Sequence, residues 1–349
     1  MIVDNNIDPL TVAETSTVRE TLARLNATPH LVQVVVDGER RVVGIATDGD
    51  IRRGLVQGVG LDSPIRDCMH RKPIVAREVS AAIAMLDTIS GRHRCVPVLD
   101  ARDRLVCMVS DSPETPGLHT AVIMAGGFGS RLGERTRATP KPMLSVGGKP
   151  ILWHLVRNLE EQGVQRVFVT VHYLGDQIRS YCAGAGFRAA IDVLTETQPM
   201  GTAGGLSLLP RNVDGPILVL NGDILTRADY GAMMVHHQTS GRDATVGAAR
   251  YEIDVPFGVL DLDDHGDIVG IREKPRYSNF IAAGLYVLEP SIYRLAQPAV
   301  RLDMPELLRS AVQQNKRVGL FPIHEYWLDV GRPDDLGRAE LDVHQWHPK

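Results

Sequence analysis

The sequence lacks cysteine pairs, a long apolar segment and an excess of either charge. Its four cysteines lie far apart and form no Cys-x-x-Cys pair, which argues against a disulfide framework or a structural zinc site and favours a reducing compartment. No run reaches the roughly 18 apolar residues of a membrane span. The first residues, MIVDNN, have neither the basic nor the apolar region of a signal peptide. These absences predict a soluble protein of the cytoplasm.

The charge of the chain is close to balanced. Lysine and arginine number 38, aspartate and glutamate number 42, and the net charge is −4. A charge of this kind does not hold a protein on nucleic acid or on anionic lipid, so we expect neither partner. The length of 349 residues predicts two or three domains, because a domain has about 100–200 residues.

The first third of the sequence contains an internal repeat with an offset of 63 residues. Residues 30–37, HLVQVVVD, align with residues 93–100, HRCVPVLD, and residues 17–22 align with residues 80–85 at the same offset. Each copy predicts a helix, an apolar strand, a polar turn and a second apolar strand. Since a unit this short cannot bury both faces alone, the two copies are expected to stack as a pseudo-symmetric pair.

The helices of the repeat begin with hydroxyl residues. Thr17 and Ser80 are the predicted N-caps, because their side chains can accept a backbone N–H of the first turn. The second strands of the two copies are predicted at residues 42–46 and 105–109.

This pair of repeats resembles a tandem CBS module over about residues 1–115. The most specific part is the segment GIATDGDIRR at residues 44–53. In that family the threonine and the aspartate three residues later contact the ribose of an adenine nucleotide, which assigns Thr47 and Asp50 as ligand residues. The phosphate would face the N-terminus of the following helix. The alternative is that Asp50 only caps that helix.

The second copy departs from this pattern. Its matching residues are Ser110 and Pro113, so the ribose carboxylate is missing. Tandem CBS modules usually pair face to face between chains, and the helices beginning at Thr17 and Ser80 offer a surface for this. The resemblance therefore implies a homo-oligomer, at least a dimer, and a regulatory adenine or guanine nucleotide at the first copy that takes no part in catalysis.

A run of turn-forming residues, DSPETPG at 111–117, predicts a linker, and the pattern changes after it. Short apolar strands then alternate with amphipathic helices, which predicts an α/β domain over residues 116–349 with a mostly parallel sheet covered on both faces. One helix is expected between Pro150 and Gly163. The predicted strands are residues 121–125, 166–171, 191–194 and 217–220. Ligands of such sheets bind outside the carboxyl ends of the strands, where the functional residues are expected.

The segment AVIMAGGFGSRL at residues 121–132, followed by TPKP at 139–142, carries the clearest chemical signal. Its glycines allow backbone N–H groups to approach a phosphate chain, and its cations add fixed positive charge. These residues are Gly126, Gly127, Gly129, Arg131 and Lys141. The dinucleotide fingerprint is excluded because its third glycine would fall at Leu132, and no GxxxxGK[ST] loop occurs.

This string is similar to the signature of sugar-1-phosphate nucleotidyltransferases, and the resemblance spans about residues 118–349. Further motifs of that family follow in order: TETQPMGTAG at 195–204, NGD at 221–223, PFGV at 256–259, REKP at 272–275 and WLDVG at 327–331. The resemblance implies a Rossmann-like sheet of the GT-A type. The implied nucleotide-binding residues are Ala125, Gly126, Gly127, Gly129, Glu196, Gly201 and Thr202. The implied sugar-phosphate-binding residues are Gly258, Glu273, Lys274 and Gly284.

The same resemblance implies the chemistry. A sugar-1-phosphate would attack the α-phosphorus of a nucleoside triphosphate and expel pyrophosphate. Asp223 and Asp329 would hold Mg²⁺ as a cofactor. Arg131, Lys141 and Asp223 would be the catalytic residues, with Arg131 neutralising the leaving pyrophosphate. Lys141 and Lys274 would hold the two reacting phosphates in line.

The nucleotide and the sugar follow less directly from the residues. The form GTAG at residues 201–204 is more similar to guanylyltransferases than to thymidylyltransferases. A CBS pair ahead of such a domain resembles the glucosamine-1-phosphate guanylyltransferases of the bacterial legionaminic acid route. GTP is therefore the expected donor, with UTP and dTTP as alternatives. The family usually has Asn-Ala-Gly where residues 282–284 are AAG, so glucosamine-1-phosphate, mannose-1-phosphate and a heptose-1-phosphate stay open as acceptors.

A second hypothesis is a regulatory protein whose transferase-like domain binds a nucleotide sugar without catalysis. A degenerate copy of this kind would be expected to lose Arg131, Lys141 or one metal carboxylate. All of these residues are present, which favours the enzyme.

Overall fold

The computed structural model describes residues 1–28, 30, 32–86, 88–89, 94–111 and 118–343. Contacts between Cα atoms divide the chain into an N-terminal unit, Met1–Gly117, and a C-terminal unit, Leu118–Lys349. His93 and Pro113 of the predicted repeat, and residues 112–117 of the predicted linker, lie outside the described residues.

Two three-stranded sheets and three helices form the N-terminal unit in its described part. The first sheet has the order β2–β3–β4 and the second has the order β1–β6–β5. The strands are β1 (Ile2–Asp4), β2 (Thr11–Ala13), β3 (Val32–Val36), β4 (Val42–Thr47), β5 (Cys95–Leu99) and β6 (Leu105–Ser110). The helices are α1 (Val18–Asn26), α2 (Asp48–Val56) and α3 (Val79–Leu86). A shared core of Val32, Val34, Cys95, Leu99 and Met108 packs the two copies together, as the short unit requires.

The repeat is reproduced residue by residue. β5 and β6 lie 63 positions after β3 and β4, and the register of both hairpins shifts near the end of the first strand. Each turn contains one left-handed residue at the same repeat position, Arg40 with φ 63° and Asp103 with φ 60°. Each turn also has an aspartate, Asp37 or Asp100, that accepts two backbone N–H groups at 2.8 to 2.9 Å. These hydrogen bonds hold the pKa of both carboxyls below its usual value.

One of the two predicted helix caps is correct. Thr17 accepts the N–H of Glu20 at 3.1 Å, and Glu20 accepts the N–H of Thr17 at 2.9 Å, which forms a capping box. The prediction for Ser80 is wrong, because α3 begins at Val79 and encloses this residue. Helix α3 starts earlier than the repeat predicts, so the serine hydroxyl faces the Glu78 carboxylate at 3.4 Å instead.

The C-terminal unit is built on a seven-stranded sheet with the order β11–β10–β7–β12–β17–β14–β18. Its strands are β7 (Thr120–Met124), β10 (Arg166–Val171), β11 (Ala190–Thr195), β12 (Ile217–Asn221), β14 (Ala244–Asp254), β17 (Arg276–Leu288) and β18 (Val318–Ile323). The first four are parallel to one another, β17 is antiparallel to both neighbours, and β14 is parallel to β18. The predicted mostly parallel sheet is confirmed, and each predicted strand agrees with an observed one to within one residue.

Smaller strand pairs and seven helices complete the described part of this unit. The pairs are β8 (Ser145–Val146) with β9 (Lys149–Pro150), β13 (Ile224–Thr226) with β19 (Trp327–Asp329), and β15 (Val259–Leu262) with β16 (Ile268–Arg272). The helices are α4 (Ile151–Glu161), α5 (Gly175–Gly184), α6 (Gly201–Gly204), α7 (Tyr230–Thr239), α8 (Pro290–Tyr293), α9 (Met304–Gln313) and α10 (Pro333–Val343). The helix predicted between Pro150 and Gly163 is α4, which has Pro150 in the N-cap position.

Buried side chains cover both faces of the sheet. Along β7, Ala121 and Ile123 belong to one core cluster and Val122 and Met124 to the other, as the two-residue period of a strand requires. All four cysteines are free thiols. Across the described residues, no helix combines the length and the apolar character needed to cross a bilayer.

Candidate active site

A cavity of about 360 Å³ lies at the carboxyl ends of the parallel strands of the C-terminal unit. It brings together most of the residues predicted to bind nucleotide or to act in catalysis. These are Ala125, Gly126, Gly127, Gly129, Arg131, Lys141, Glu196, Gly201, Thr202 and Asp223. Because they come from sequence segments as far apart as 125 and 223, the sheet topology is what assembles them.

The order of the strands explains this assembly. β7 lies between β10 and β12, so the segments that follow these strands are neighbours. The N–H of Ala125 donates to the carbonyl of Thr170 at 2.9 Å, and the N–H of Gly222 donates to the carbonyl of Met124 at 2.9 Å. The glycine-rich loop after β7 is thereby fixed between the ends of its two neighbouring strands.

Close packing inside the loop explains two of its glycines. A Cβ on Gly126 would lie 2.8 Å from both carboxylate oxygens of Glu196. Gly129 has φ 64°, and a Cβ there would lie 2.9 Å from the methyl group of Thr136. The Thr136 hydroxyl donates to the Gly129 carbonyl at 2.9 Å, which folds the loop back toward Lys141. A larger residue at either position would push the loop away from the cavity.

Glu196 is a buried acid on the wall of the cavity, with 3% of its surface exposed. Its Oε2 accepts the N–H of Met200 at 3.1 Å. Its Oε1 is shielded from solvent, and no hydrogen bond of standard geometry reaches it from the described residues. The Thr170 hydroxyl, which contacts the sulfur of Met124 at 3.7 Å, lies close enough to the carboxyl to lower its pKa in part. Burial raises the pKa of the Glu196 carboxyl. A buried acceptor without a partner indicates that something else supplies the missing donor.

Asp223 and Asp329 lie together because β13 pairs with β19. In that antiparallel ladder Ile224 is opposite Asp329, and the N–H of Val330 donates to the carbonyl of Asp223 at 2.9 Å. The Nζ of Lys141 is 2.5 Å from Asp223 Oδ2 and 3.9 Å from Asp329 Oδ1. Burial first, and then the charge of Asp223, raise the pKa of Asp329.

The carboxylate pair fits a hard divalent cation. Asp329 Oδ1 is buried and has no hydrogen-bond partner in the described chain, so it is available as a ligand. Carboxylate oxygens are the donors that Mg²⁺ prefers, and this ion usually takes one or two of them together with substrate phosphates. The described residues contain no group of three or more His, Cys, Asp and Glu side chains that could hold a metal by itself. The arrangement therefore suits a metal shared with a substrate.

The residues predicted for the sugar phosphate occupy two places. Gly284, with φ 72°, lies against Asn221 of the cavity wall. A Cβ on Gly284 would be only 2.7 Å from Asn221 Nδ2. Gly258, Glu273 and Lys274 do not belong to the described residues that line the cavity. They lie at the base of the β15–β16 hairpin, where a Cβ on Gly258 would be 3.2 Å from Glu273 Oε2, and Lys274 has φ 45°.

Several lining residues were not predicted as site residues from the sequence. They are Phe128, Ser130, Asn221, Arg301 and Asp303. Phe128, Ser130 and Asn221 are inside or next to motifs and could have been included by proximity. Arg301 and Asp303 come from the segment before α9, where the spacing of Asp303 and Glu306 indicates only the start of a helix.

In the N-terminal unit, Thr47 and Asp50 cap α2. Asp50 N–H donates to Thr47 Oγ1 at 3.2 Å, and Asp50 Oδ2 accepts the N–H and the hydroxyl of Thr47 at 3.0 and 2.6 Å. The other carboxylate oxygen of Asp50 pairs with Arg53. This capping accounts for both side chains, and nucleotide binding at this position stays a prediction.

Comparison with known families agrees with the geometry. The family model described as "Nucleotidyl transferase" matches residues 120–345, which is more than half of the chain. The chain belongs to the nucleotidyl transferase family. The "CBS domain" family model matches residues 4–57, which correspond to the first copy of the repeat.

Similar nucleotidyl transferases include two curated relatives named "Mannose-1-phosphate guanylyltransferase catalytic subunit beta". The one from Xenopus tropicalis is 31% identical over 242 residues, which cover 66% of this chain and 67% of the relative. The one from Drosophila pseudoobscura pseudoobscura is 29% identical over 223 residues, which cover 62% of this chain and 60% of the relative. The chain therefore spans about three fifths of the length of such relatives.

Solved structures of this fold include HddC from Yersinia pseudotuberculosis. It is 28% identical with a TM-score of 0.52, and the match covers 64% of this chain and 99% of HddC. The same protein was also solved in complex with GMP-PN, with 27% identity and a TM-score of 0.51.

The packing of Gly126 against Glu196 leads to a prediction about stability. Gly126→Ala is expected to destabilise the C-terminal unit by about 1–3 kcal/mol, the usual cost of overpacking a filled site. Gly127→Ala is the matched control, since a Cβ there has nothing within 4 Å, and it should leave stability unchanged. Urea unfolding followed by fluorescence measures both variants. Equal losses in the two would contradict the packing described here.

Proposed function

We propose that this protein transfers a nucleotidyl group from a nucleoside triphosphate to a sugar-1-phosphate and releases pyrophosphate. The observation that carries this proposal is the single cavity that joins the glycine-rich loop, Arg131 and Lys141 to the carboxylate of Asp223. Relatives named mannose-1-phosphate guanylyltransferase support the same reaction class. The alternative of an inactive sensor has no support, because the charged residues are present and lie together.

The reaction needs charge control more than proton transfer. An oxygen of the sugar-1-phosphate forms a bond to the α-phosphorus, and the bond from that phosphorus to the bridging oxygen of pyrophosphate breaks on the opposite side. The attacking phosphate is already ionised at neutral pH, so no general base is required. The main task of the protein is to hold two polyanions together and to stabilise the charge that develops on the leaving group.

The cavity residues divide this task. Backbone N–H groups of Gly126, Gly127 and Gly129 would hold the triphosphate. Arg131 is exposed on the cavity wall, where its guanidinium would neutralise the departing pyrophosphate. Lys141 is 7% exposed, and its ammonium group would hold the α-phosphate beside the carboxylates.

The carboxylate pair would hold the metal, and we propose Mg²⁺. Asp223 and Asp329 are the ligands, and Lys141 balances their charge until substrate is present. When bound, Mg²⁺ would neutralise phosphate charge and act as a Lewis acid on the reacting phosphoryl group.

GTP is the proposed donor, and Glu196 supplies the physical argument. A carboxylate is an acceptor only, and guanine presents two adjacent donors, the ring N1–H and the exocyclic N2 amino group. Uracil and thymine present a single ring N–H between two carbonyl oxygens, which would face the carboxylate unfavourably. The unpartnered Oε1 of Glu196 can accept one of these guanine donors, which favours guanine over uracil and thymine.

The acceptor is proposed to be a hexose-1-phosphate of the mannose or glucosamine type, with heptose-1-phosphate as an alternative. Names of the relatives favour mannose-1-phosphate. Glu273 and Lys274, at the base of the β15–β16 hairpin, would bind a sugar hydroxyl and the sugar phosphate. Ala282 provides no side-chain amide, so the sugar is held by fewer polar groups than the family pattern would give.

A screen of GTP, UTP, dTTP and ATP against these sugar-1-phosphates, followed by pyrophosphate release, tests the function. We expect turnover with GTP to exceed that with the other three, and EDTA, which removes divalent metal, to abolish it. A preference for UTP or dTTP would contradict the proposed donor and leave the reaction class intact. Absence of turnover with every pair would contradict the reaction.

Arg131→Ala is expected to lower kcat by about 10²–10³, the usual effect of removing one preorganised charge contact in a transition state. Arg135→Ala is the matched control, because Arg135 lies in the same 3₁₀ segment, is exposed, and does not line the cavity in the described structure. It should keep normal kinetics. A loss of less than tenfold in the Arg131 variant would indicate that its charge plays no part in the chemistry.

Glu196→Gln should separate donor choice from stability. Burial raises the pKa of the Glu196 carboxyl in the folded protein above its value in the unfolded chain. At pH 7 the carboxyl therefore ionises at a greater cost in the folded state, which lowers the free energy of unfolding. Neutralising the group should therefore raise Tm at that pH, while the preference for GTP over UTP and ATP should fall because one acceptor becomes a donor. Thermal unfolding and the same donor screen give both readouts. An unchanged GTP preference would show that Glu196 does not read the base.

For the N-terminal unit we propose regulation by a nucleotide at Thr47 and Asp50, a homo-oligomer formed partly through α1 and α3, and a cytoplasmic location. The residue-by-residue repeat supports a CBS pair. Asp50→Asn in the full chain is expected to abolish the response of the rate to added adenine and guanine nucleotides while the basal rate stays normal. Light scattering should give at least a dimer. A monomer would contradict the proposed oligomer. A nucleotide response that is unchanged in Asp50→Asn would contradict the proposed regulation.

A further inference from the structure

Segment 201–204, which is predicted to bind nucleotide, is held by hydrogen bonds to residues 302–303 at the start of α9. This segment, α6, is a single turn, which is too short to be stable by itself. Its N–H groups need partners outside the turn, and three of them find these partners in residues 302–303. Ala203 and Gly204 both donate to the carbonyl of Leu302, at 2.9 and 3.0 Å.

Thr202 and Asp303 complete the attachment in both directions. Asp303 Oδ1 accepts the N–H of Thr202 at 2.9 Å. In return, the hydroxyl of Thr202 accepts the N–H of Met304, the first residue of α9, at 2.8 Å. Each segment therefore caps the other, and we call this pair of residues the Thr202–Asp303 clasp.

The clasp sets the position of Gly201 on the cavity wall. A Cβ on Gly201 would lie 2.6 Å from Asp303 Oδ1 and 2.7 Å from the Leu302 carbonyl, and the residue has φ 79°. Glycine is the residue that combines this backbone with such a close approach. The position of the wall therefore depends on Asp303 being in place.

A second attachment lies beside the clasp. The side-chain amide of Gln198 donates to the carbonyl of Ala299 at 2.7 Å, and the N–H of Leu302 donates to the carbonyl of Met200 at 2.9 Å. The chain from Glu196 to Gly204 is thus bound along its length to the segment before α9. This is the same stretch that carries the unpartnered acceptor of Glu196.

We propose that Asp303 and Thr202 are positioning residues for the nucleoside triphosphate. They fix the wall that receives the base and ribose. Their own polar groups are used by each other and by α9, and Asp303 Oδ2 also lies 3.6 Å from the guanidinium of Arg301. Thr202, which the sequence motif assigned as a nucleotide contact, then acts through Gly201. The inference rests on the proposed function of the cavity, and it adds a residue, Asp303, that lies outside every motif.

The test compares Asp303→Ala with Asp303→Asn in the full chain. The asparagine keeps an oxygen at the position of Oδ1, so it should still accept the Thr202 N–H. Calorimetry with GTP and Mg²⁺ should show about tenfold weaker binding for the alanine variant and near-normal binding for the asparagine variant, as expected for one lost hydrogen bond. KM for GTP should rise by the same factor in the alanine variant, with kcat and KM for the sugar-1-phosphate unchanged.

Two further measurements separate positioning from a loss of stability. Asp229→Ala removes the N-cap of α7, where Asp229 Oδ1 accepts the N–H of Ala232 at 2.7 Å, and it should lower Tm without changing GTP binding. Deuterium exchange of residues 200–206 without ligand should rise in Asp303→Ala and stay low in Asp303→Asn. Thr202→Val should also raise this exchange, because it removes the acceptor for Met304.

The outcomes distinguish the inference from the proposed function. If Asp303→Asn binds GTP as weakly as Asp303→Ala, the carboxylate charge matters, either on the nucleotide or through Arg301, and positioning through the Thr202 N–H is wrong. Normal binding by Asp303→Ala would overturn it as well. If the wild type prefers UTP, the proposed donor is wrong, and the same variants tested with UTP decide the inference. A wild type that binds no nucleoside triphosphate would overturn the proposed function and the inference together.

Discussion

The site depends on holding two like charges next to each other. Asp223 and Asp329 are fixed by the β13–β19 ladder, which leaves neither free to move away. The partial burial of Asp329, and then the negative charge of Asp223, raise the pKa of Asp329. Lys141 lowers the electrostatic cost of this arrangement, because its buried ammonium group lies beside both carboxylates. The rest of the cavity is arranged around this small group of charges, because the substrates that would enter it are anions.

The two copies of the N-terminal repeat differ in the hydrogen bonds of the residue that ends their second strand, Thr47 in the first copy and Ser110 in the second. In the first copy, Thr47 and Asp50 bond to each other at the end of β4. In the second copy the matching residue, Ser110, bonds to His30 at 2.9 Å, and the other ring nitrogen of His30 contacts Asp4 at 3.0 Å. His30 belongs to the first copy, so this contact joins the two halves. At this position the first copy has a local cap, and the second copy has a contact between the repeats.

Local motifs were predictable from the sequence, and long-range contacts were not. The glycine-rich loop and Asp223 directly follow β7 and β12, and Lys141 lies further along the segment after β7. The topology of a parallel sheet was therefore enough to predict them at one edge. Asp303 joins the same cavity through a contact with Thr202, about 100 positions away, and no local pattern encodes that distance.

One other difference has a local cause. Ser80 was expected to cap α3 because Thr17 caps α1, but α3 begins earlier than the repeat offset requires. Glu273 and Lys274 lie at the base of the β15–β16 hairpin, outside the described lining of the cavity, and their role at the sugar phosphate stays a prediction. Sequence patterns indicate which residues form a hairpin, and they carry little information about the angle at which it leaves the sheet.

The candidate site also contains buried acceptor atoms whose hydrogen bonds are incomplete. Glu196 Oε1 and Asp329 Oδ1 are both buried without a hydrogen-bond partner in the described part of the chain, and burial raises the pKa of both acids. Each such group opposes folding, because an unpartnered buried acceptor loses its water without replacement. A base with two donors at Glu196 and a cation at Asp329 would remove both penalties at once. The features that lower the stability of the free protein are therefore the ones that would favour the proposed substrates, and both sites would contribute to affinity through interactions that the protein alone cannot make.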